Sequence, residues 1–365
     1  MFKFPGLKNN YFLGIDFGTH SIKVVELLYK KSGVYLSNYG WIEIPLNKNK
    51  SLTQDEKNKQ IGEALKKLID EMRIESTSAH ISMGAFKGLS TLIEVSDIEE
   101  ENIEEIVKAE ANKYIPISLD EVYLSWDIVS RKNKKKFLEK VKGIRNNNKE
   151  KKYLEILLVA APKEEVYKYE KIVNIAGIKV KSLELDIFSL TRALVGDDLG
   201  TFLIIDMGAK ITNIVLIRKG VIRINRNINV GGDEITKNVM SGLNISWDRA
   251  EEFKKKNNYL SGEGKSMLMP VIDTIKKESE RVIDLGLGSN KSKIDSIIIT
   301  GGGVDISGIE NIFYNSLGLK AKLGNPWKKI IIENDILKKK TSEIVNNLSV
   351  ATGLALKGVA EYKRK

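Results

Sequence analysis

Two stretches of this chain carry the same arrangement of residues able to do chemistry. The first is Leu13-Gly14-Ile15-Asp16-Phe17-Gly18-Thr19-His20-Ser21-Ile22-Lys23-Val24-Val25-Glu26-Leu27. The second, 190 positions later, is Leu203-Ile204-Ile205-Asp206-Met207-Gly208-Ala209-Lys210-Ile211-Thr212-Asn213-Ile214-Val215-Leu216-Ile217. Each reads as an apolar run, Asp-x-Gly, and a second apolar run. That pattern predicts a β-hairpin with a tight turn and an aspartate at its mouth. Glycine lets backbone approach a ligand closely, and successive turn N–H groups make a concave anion site. The aspartate suits Mg²⁺ held through water, because Mg²⁺ takes few carboxylates and keeps its waters. Lys23 is placed to neutralise phosphate from the second strand. One Asp-Gly turn is commonplace. Two in the same register, one per half of the chain, predict paired phosphate clamps on one nucleotide.

Two further segments fit such a site. Thr300-Gly301-Gly302-Gly303 closes the apolar strand Ile294 to Ile299. Glycines at a strand's carboxyl end, ahead of a helix, admit a flat or anionic ligand. Glu251 and Lys254 stand at i and i+3 on one helix face, either as a surface ion pair or as contacts to a ribose and an adenine.

The elements that position these residues repeat as well. Strands are expected at 11–17, 22–30 and 34–44, then an amphipathic helix carrying Ile61, Ala64, Leu65, Leu68, Ile69 and Met72, then a strand over 79–83. Strands at 201–206, 211–218 and 221–230 and a helix from Asp233 repeat the plan. The section 233–288 is mostly helical, 308–317 is a helix, and an irregular Lys-rich stretch precedes a last small-residue helix at 350–358. Residues 86–167 read as an insertion. In it a helix over 98–114 is capped by Asp97 with Glu100 in the capping-box position, and strands cover 121–129 and 153–160. A helix (164–176), a strand (179–185) and a helix (187–194) lead out of it. His20 reads as a loop residue and His80 as a strand residue.

Composition narrows the function classes. There is no cysteine, which removes disulfides, thiolate metal sites and a cysteine nucleophile. The net charge is +11, but the segment 131–152 alone holds eleven Lys or Arg against two Glu. The excess is therefore one run, read as a mobile hairpin loop or as a basic contact for an acidic partner or lipid headgroups, not the basic face of a nucleic-acid binder. The longest aliphatic run, Ile156 to Ala161, is far short of the roughly 20 residues of a membrane span. The first residues are interrupted by charge before any signal-peptide core develops. The expectation is a soluble cytoplasmic protein.

The combination resembles the actin-like ATPase superfamily. Asp16-x-Gly18 through Lys23 is similar to its first phosphate loop, Asp206-x-Gly208 to the second, Thr300 to Gly303 to the adenosine loop, and Glu251/Lys254 to the ribose-contacting pair. The resemblance implies an α/β, actin-like (RNase H-like) duplicated two-lobe fold with a small α+β subdomain inserted in the first lobe. The first-lobe core is then 1–85 with 168–195 and 342–365, and the insertion is 86–167. The second-lobe core is 201–232 with 294–341, and 233–293 is its helical subdomain. Interlobe helices fall at about 186–194 and 348–358, with Ser189, Ala193, Ala351, Gly353 and Ala355 small enough for close crossing. The resemblance also implies nucleotide contacts at Thr19, Ser21, Ala209, Lys210 and Gly232. A water-orienting acid, Glu184 or Asp186, falls just before the first interlobe helix.

Within the superfamily the chain resembles the PilM family of type IV pilus assembly proteins over nearly its whole length. The segments that carry this are Gly14-Ile15-Asp16 with Ser21 to Leu27; Ala109-Glu110, Tyr114-Ile115-Pro116 and Leu119-Asp120-Glu121-Val122; Ala176-Gly177-Ile178; Asn229-Val230-Gly231-Gly232-Asp233; and Gly302-Gly303 with Ser307-Gly308. The resemblance implies binding of ATP and Mg²⁺ with at most slow hydrolysis. It also implies inner-membrane association through partners, and a groove beside the insertion for the short cytoplasmic tail of a PilN-type membrane protein. The FtsA-type filament proteins are the rival. They usually end in an amphipathic membrane helix, and here Glu361-Tyr362-Lys363-Arg364-Lys365 follows the last helix. A sugar or acetate kinase on the same fold would need a base poised at a substrate hydroxyl, and no such constellation is present.

Overall fold

The computed structural model describes residues 10–44, 52–96, 103–133, 152–256, 263–288, 293–333 and 345–364. The chain forms two compact units, 1–85 with 168–365, and 86–167.

The larger unit is built on two five-stranded sheets with one topology. In the first, β1 (Tyr11–Phe17), β2 (Ser21–Lys30) and β3 (Gly33–Glu43) form an antiparallel meander, and β4 (Ser78–Met83) and β8 (Lys179–Leu185) add parallel to β1, giving the order β3-β2-β1-β4-β8. In the second, β9 (Thr201–Met207), β10 (Thr212–Arg218) and β11 (Val221–Ile228) form the meander, and β12 (Ser296–Thr300) and β13 (Ala321–Leu323) add parallel to β9. The order is again β11-β10-β9-β12-β13. Strands β1, β9, β10 and β12 are buried almost throughout, as their unbroken apolar runs require of central strands covered on both faces.

Helix α1 (Gln54–Met72) starts at a capping box, in which Thr53 and Glu56 bond each other's backbone N–H, and buries Ala64, Leu65, Leu68 and Ile69. Just beyond it, the fully buried Glu26 of β2 accepts from the N–H groups of Glu75 and Ser76, at 3.0 and 2.9 Å, and so fixes the chain's entry into β4. In the second lobe α5 (Gly232–Leu243), α6 (Trp247–Lys256), α7 (Glu263–Leu287) and α8 (Ile309–Leu317) surround a core that includes Ile205, Ile235, Ile272 and Phe313.

The smaller unit holds α2 (Ile103–Ala111) and an antiparallel sheet of β5 (Leu89–Ser96), β7 (Lys152–Pro162) and β6 (Val122–Asn133), closed over Ile93, Val107, Ile156 and Leu158. Helix α3 (Lys163–Ile175) then leads to β8. Strand β5 departs from the sequence reading, which leaves 89–96 unassigned although Leu89, Thr91, Ile93 and Val95 alternate. The expected Asp97–Glu100 cap and most of the basic run lie outside the described residues.

The expected hinge helices are α4 (Asp186–Leu194) and α9 (Ser349–Lys363), which cross; α9 runs on past the expected end at 358. Glycine sets both of its close approaches. A Cβ on Gly353 would lie 2.0 Å from the carbonyl oxygen of Ser189, and one on Gly14 would lie 2.1 Å from that of Ala351. Helix α9 can therefore rest on β1 and cross α4 only because neither position carries a side chain. A Gly14→Ala variant is expected to lose at least about 2 kcal/mol, read from its urea midpoint, because backbone rather than a movable side chain blocks the methyl group.

Candidate functional site

The two Asp-x-Gly turns fold identically. In the first, the Gly18 N–H donates to the Ser21 carbonyl at 3.0 Å; in the second, the Gly208 N–H donates to the Ile211 carbonyl at 2.9 Å. A Cβ on either glycine would lie 2.9 Å from that same carbonyl oxygen. The strand register places Asp16 opposite Lys23 and Asp206 opposite Asn213, so cation and amide hold equivalent posts. The Lys23 ammonium lies 3.6 Å from Asp16 Oδ2 and folds over the Gly18 turn, where a Cβ would come 3.0 Å from it.

The remaining loops close on the second turn. The N–H groups of Gly232 and Asp233 donate to the carbonyls of Gly208 and Ala209 at 2.9 and 2.8 Å. A Cβ on Gly231 would strike both carbonyl oxygens at 2.6 Å, and one on Gly301 would strike Asp206 Oδ1 at 2.5 Å. Gly303 packs as tightly, with Gly208 O 2.8 Å from its Cβ position. These glycines are thus required first for loop-on-loop packing. Gly302 is the exposed member of its run.

Three carboxylates converge there. Asp16 is nearly buried and accepts from the Ser82 hydroxyl at 2.8 Å. Asp206 accepts from Asn213 Nδ2 at 3.1 Å, and the same amide nitrogen donates to Asp186 Oδ2 at 3.2 Å. The other oxygen of Asp186 accepts from the Ala85 N–H at 3.0 Å. Burial pushes the Asp206 carboxyl up to about 6, and the charge of Asp16 adds to the push against the pull of Asn213 and Lys23. Burial, then Asp206 and Asp16, hold Asp186 well above the usual carboxylate range.

Glu184, the other acid predicted to orient water, is held elsewhere. Its carboxylate takes Arg192 Nη1 and Ser189 Oγ at 2.6 Å and Lys357 Nζ at 3.0 Å. Burial would raise it, but these partners hold it below its ordinary value. It ties β8 to both hinge helices. Lys254 is buried, and its ammonium donates to Glu251 at 2.6 Å, Thr236 Oγ1 at 2.9 Å and the Gly232 carbonyl at 3.3 Å. Glu251, which Thr236 also bonds, stays partly exposed. Thr19 and Ala209 are half-buried on the two turns, Ser21 begins β2, and Lys210 is exposed. Residue types and spacing alone do not single out Ser82 or Asn213, and they mark His20 only as a loop residue and Asp233 only as a helix start. The strand register, which sets Asn213 against Asp206, was the signal that could have found Asn213.

The model of the family described as type IV pilus assembly protein PilM matches residues 14–359. The chain belongs to this family. Its fold is the actin-like duplicated one. Against the solved PilM–PilN type IV pilus biogenesis complex the TM-score is 0.78 at 22% identity, over 95% of this chain and 98% of that one. MreB5 of Spiroplasma citri bound to AMPPNP matches at TM-score 0.55 and 12% identity, over 98% of both chains. The FtsA cell-division protein of Enterococcus hirae is 24% identical over 255 residues, which span 68% of this chain and 58% of FtsA. Among the described residues no helix of this PilM-family chain is long and apolar enough to cross a membrane.

The raised Asp206 carboxyl predicts a signed pH effect. A group whose folded value lies above its unfolded one contributes stability that is complete below the unfolded value and lost as pH rises through the folded one. Asp206→Asn is therefore expected to stabilise the ligand-free protein by about 1–2 kcal/mol at pH 7.5. The gain should shrink through pH 6 and vanish near pH 4, as read from urea midpoints across pH.

Proposed function

We propose that this chain is the ATP-binding, actin-like member of the type IV pilus inner-membrane assembly platform, working on the cytoplasmic face and holding the short cytoplasmic tail of a PilN-type membrane protein. The observation that carries the nucleotide part is the meeting of Asp16 and Asp206, from duplicated turns, beside Asp186 and Lys23 in one place. The solved PilM–PilN complex and the AMPPNP-bound MreB5 support the partner and the nucleotide respectively.

The donor set fits magnesium. Carboxylate oxygens are its preferred ligands, and mutually repelling aspartates favour a divalent cation between them. Magnesium keeps most of its waters, so a metal held through water and phosphate oxygens needs few direct protein ligands. Magnesium would supply charge neutralisation on the phosphates. The chain's own residues then divide the work. Lys23 faces phosphate from the first lobe. The turns bearing Gly18, Thr19 and Ser21, and Gly208, Ala209 and Lys210, face the phosphates, and Gly232, whose N–H is bonded to the Gly208 carbonyl, lies against the second turn at the start of α5. Gly301 to Gly303 line the adenosine side. Glu251, with its carboxylate still partly exposed, is the ribose contact, and the inward-turned Lys254 holds it in place.

Asp186 rather than Glu184 is placed to orient water, since Glu184 is already bonded by two cations. Each oxygen of Asp186 is already committed to one donor, the Ala85 N–H and the Asn213 amide, which supports slow turnover. For the peptide, the smaller unit offers exposed aromatic surface at Phe86, Tyr123 and Tyr167, the last two in edge contact with ring centroids 6.3 Å apart.

In isothermal titration calorimetry, Mg²⁺–ATP is expected to bind wild type, with Asp16→Ala and Asp206→Ala each weaker by about tenfold or more. Equal affinities would remove the clamp assignment. An immobilised PilN-type N-terminal peptide is expected to retain the wild-type chain and to release Tyr123→Ser severalfold faster. Failure to retain wild type would count against the pilus partner.

A further inference from the structure

His20 stands four positions after Asp16, and Lys210 stands four positions after Asp206. These are equivalent posts on the two turns, yet His20 makes a contact that the duplication does not repeat. Its Nε2 lies 3.2 Å from Oδ2 of Asp233. His20 belongs to the turn between β1 and β2, and Asp233 to the first turn of α5, so the contact joins one lobe to the other at the phosphate end of the cleft.

Both partners are carried on fixed backbone. The His20 carbonyl accepts from the Ile44 N–H at 2.8 Å, which ties its turn to the end of β3. The Asp233 N–H donates to the Ala209 carbonyl at 2.8 Å, so that carboxylate rides on the second Asp-x-Gly turn itself. The distance between these two side chains therefore reports the distance between the two phosphate turns. The titratable groups that face Asp233 are His20, Lys210, Lys254 and Glu251. Among them only His20 comes from the first lobe, so it is through His20 that Asp233 draws the two turns together.

We propose that His20 and Asp233 form a latch across the nucleotide cleft: a positioning pair that holds the two Asp-x-Gly turns at the spacing for one triphosphate and slows nucleotide escape. The proposal rests on the nucleotide reading above. Neither residue is assigned to the chemistry. Their effect runs through lobe separation, since opening the cleft must break the pair while nucleotide entry and exit need it open.

The test is stopped-flow dissociation of a fluorescent mant-ATP–Mg²⁺ complex from wild type, His20→Lys, His20→Ala and His20→Glu, each also made with Asp233→Asn. The lysine variant should release nucleotide near the wild-type rate. Alanine should be roughly two- to fivefold faster, the range open to a half-exposed polar pair, and glutamate faster still. With Asp233→Asn present this order should collapse, while apo thermal midpoints stay unchanged across the His20 series. A His20 series that is flat, or that keeps its order without the aspartate, would overturn the latch and leave nucleotide binding standing. Failure of wild type to bind mant-ATP would overturn the nucleotide reading, and the latch with it.

Discussion

Like charges gathered away from bulk water are the constraint on which this structure turns. Asp16 arrives from β1, Asp206 from β9 and Asp186 from the start of α4, and the nearest cation to the first of them is Lys23. Carboxylates that share a poorly hydrated site raise one another's pKa, and an unpaired buried charge is among the costliest groups a fold can hold. The fold does not separate these groups. It fastens them with Ser82, Asn213 and the Ala85 N–H. Such an arrangement is stable only as far as the surrounding cores carry it, and in the function proposed above a cation and its phosphates relieve the repulsion.

Duplication builds the site, and departures from duplication make it specific. The same hydrogen bond closes both turns, and the same topology delivers them. Lys23 in one half is matched by Asn213 in the other, so one turn offers a cation and the other an amide that bridges two acids. Thr300, beside Asp206 in the register, reaches the Asn346 carbonyl and the Ser349 hydroxyl at the start of α9. Glu184 binds Arg192 on α4 and Lys357 on α9. Polar contacts thus brace the crossing helices at two places, at the start of α9 through Thr300 and near the crossing through Glu184.

Much of this was legible in the residues. The paired Asp-x-Gly turns, the glycine run after β12 and the small residues of the hinge follow from local spacing, and the structure brings Asp16, Asp206 and Gly301 together. What escaped was set by contacts distant in sequence. The three-residue strand β13 exists because β12 pairs with it, and nothing in its own Lys-rich neighbourhood announces it. Glu184 and Asp186 are indistinguishable as sequence. Only the placement of Arg192 and Lys357 separates the acid that braces the hinge from the one that faces the carboxylates. Strand β5 alternates Leu89, Thr91, Ile93 and Val95, but Leu92 on the opposite face blurs the period.

The central claim is that turns from both halves grip one metal–triphosphate. Crystals grown with Mn²⁺ and a non-hydrolysable ATP analogue test it most directly, with the metal located by its anomalous scattering. The account predicts a single manganese position between Asp16 and Asp206, in contact with phosphate oxygens, and phosphates touching both Asp-x-Gly turns. A metal or triphosphate held by one turn alone, or bound outside the cleft, would contradict it.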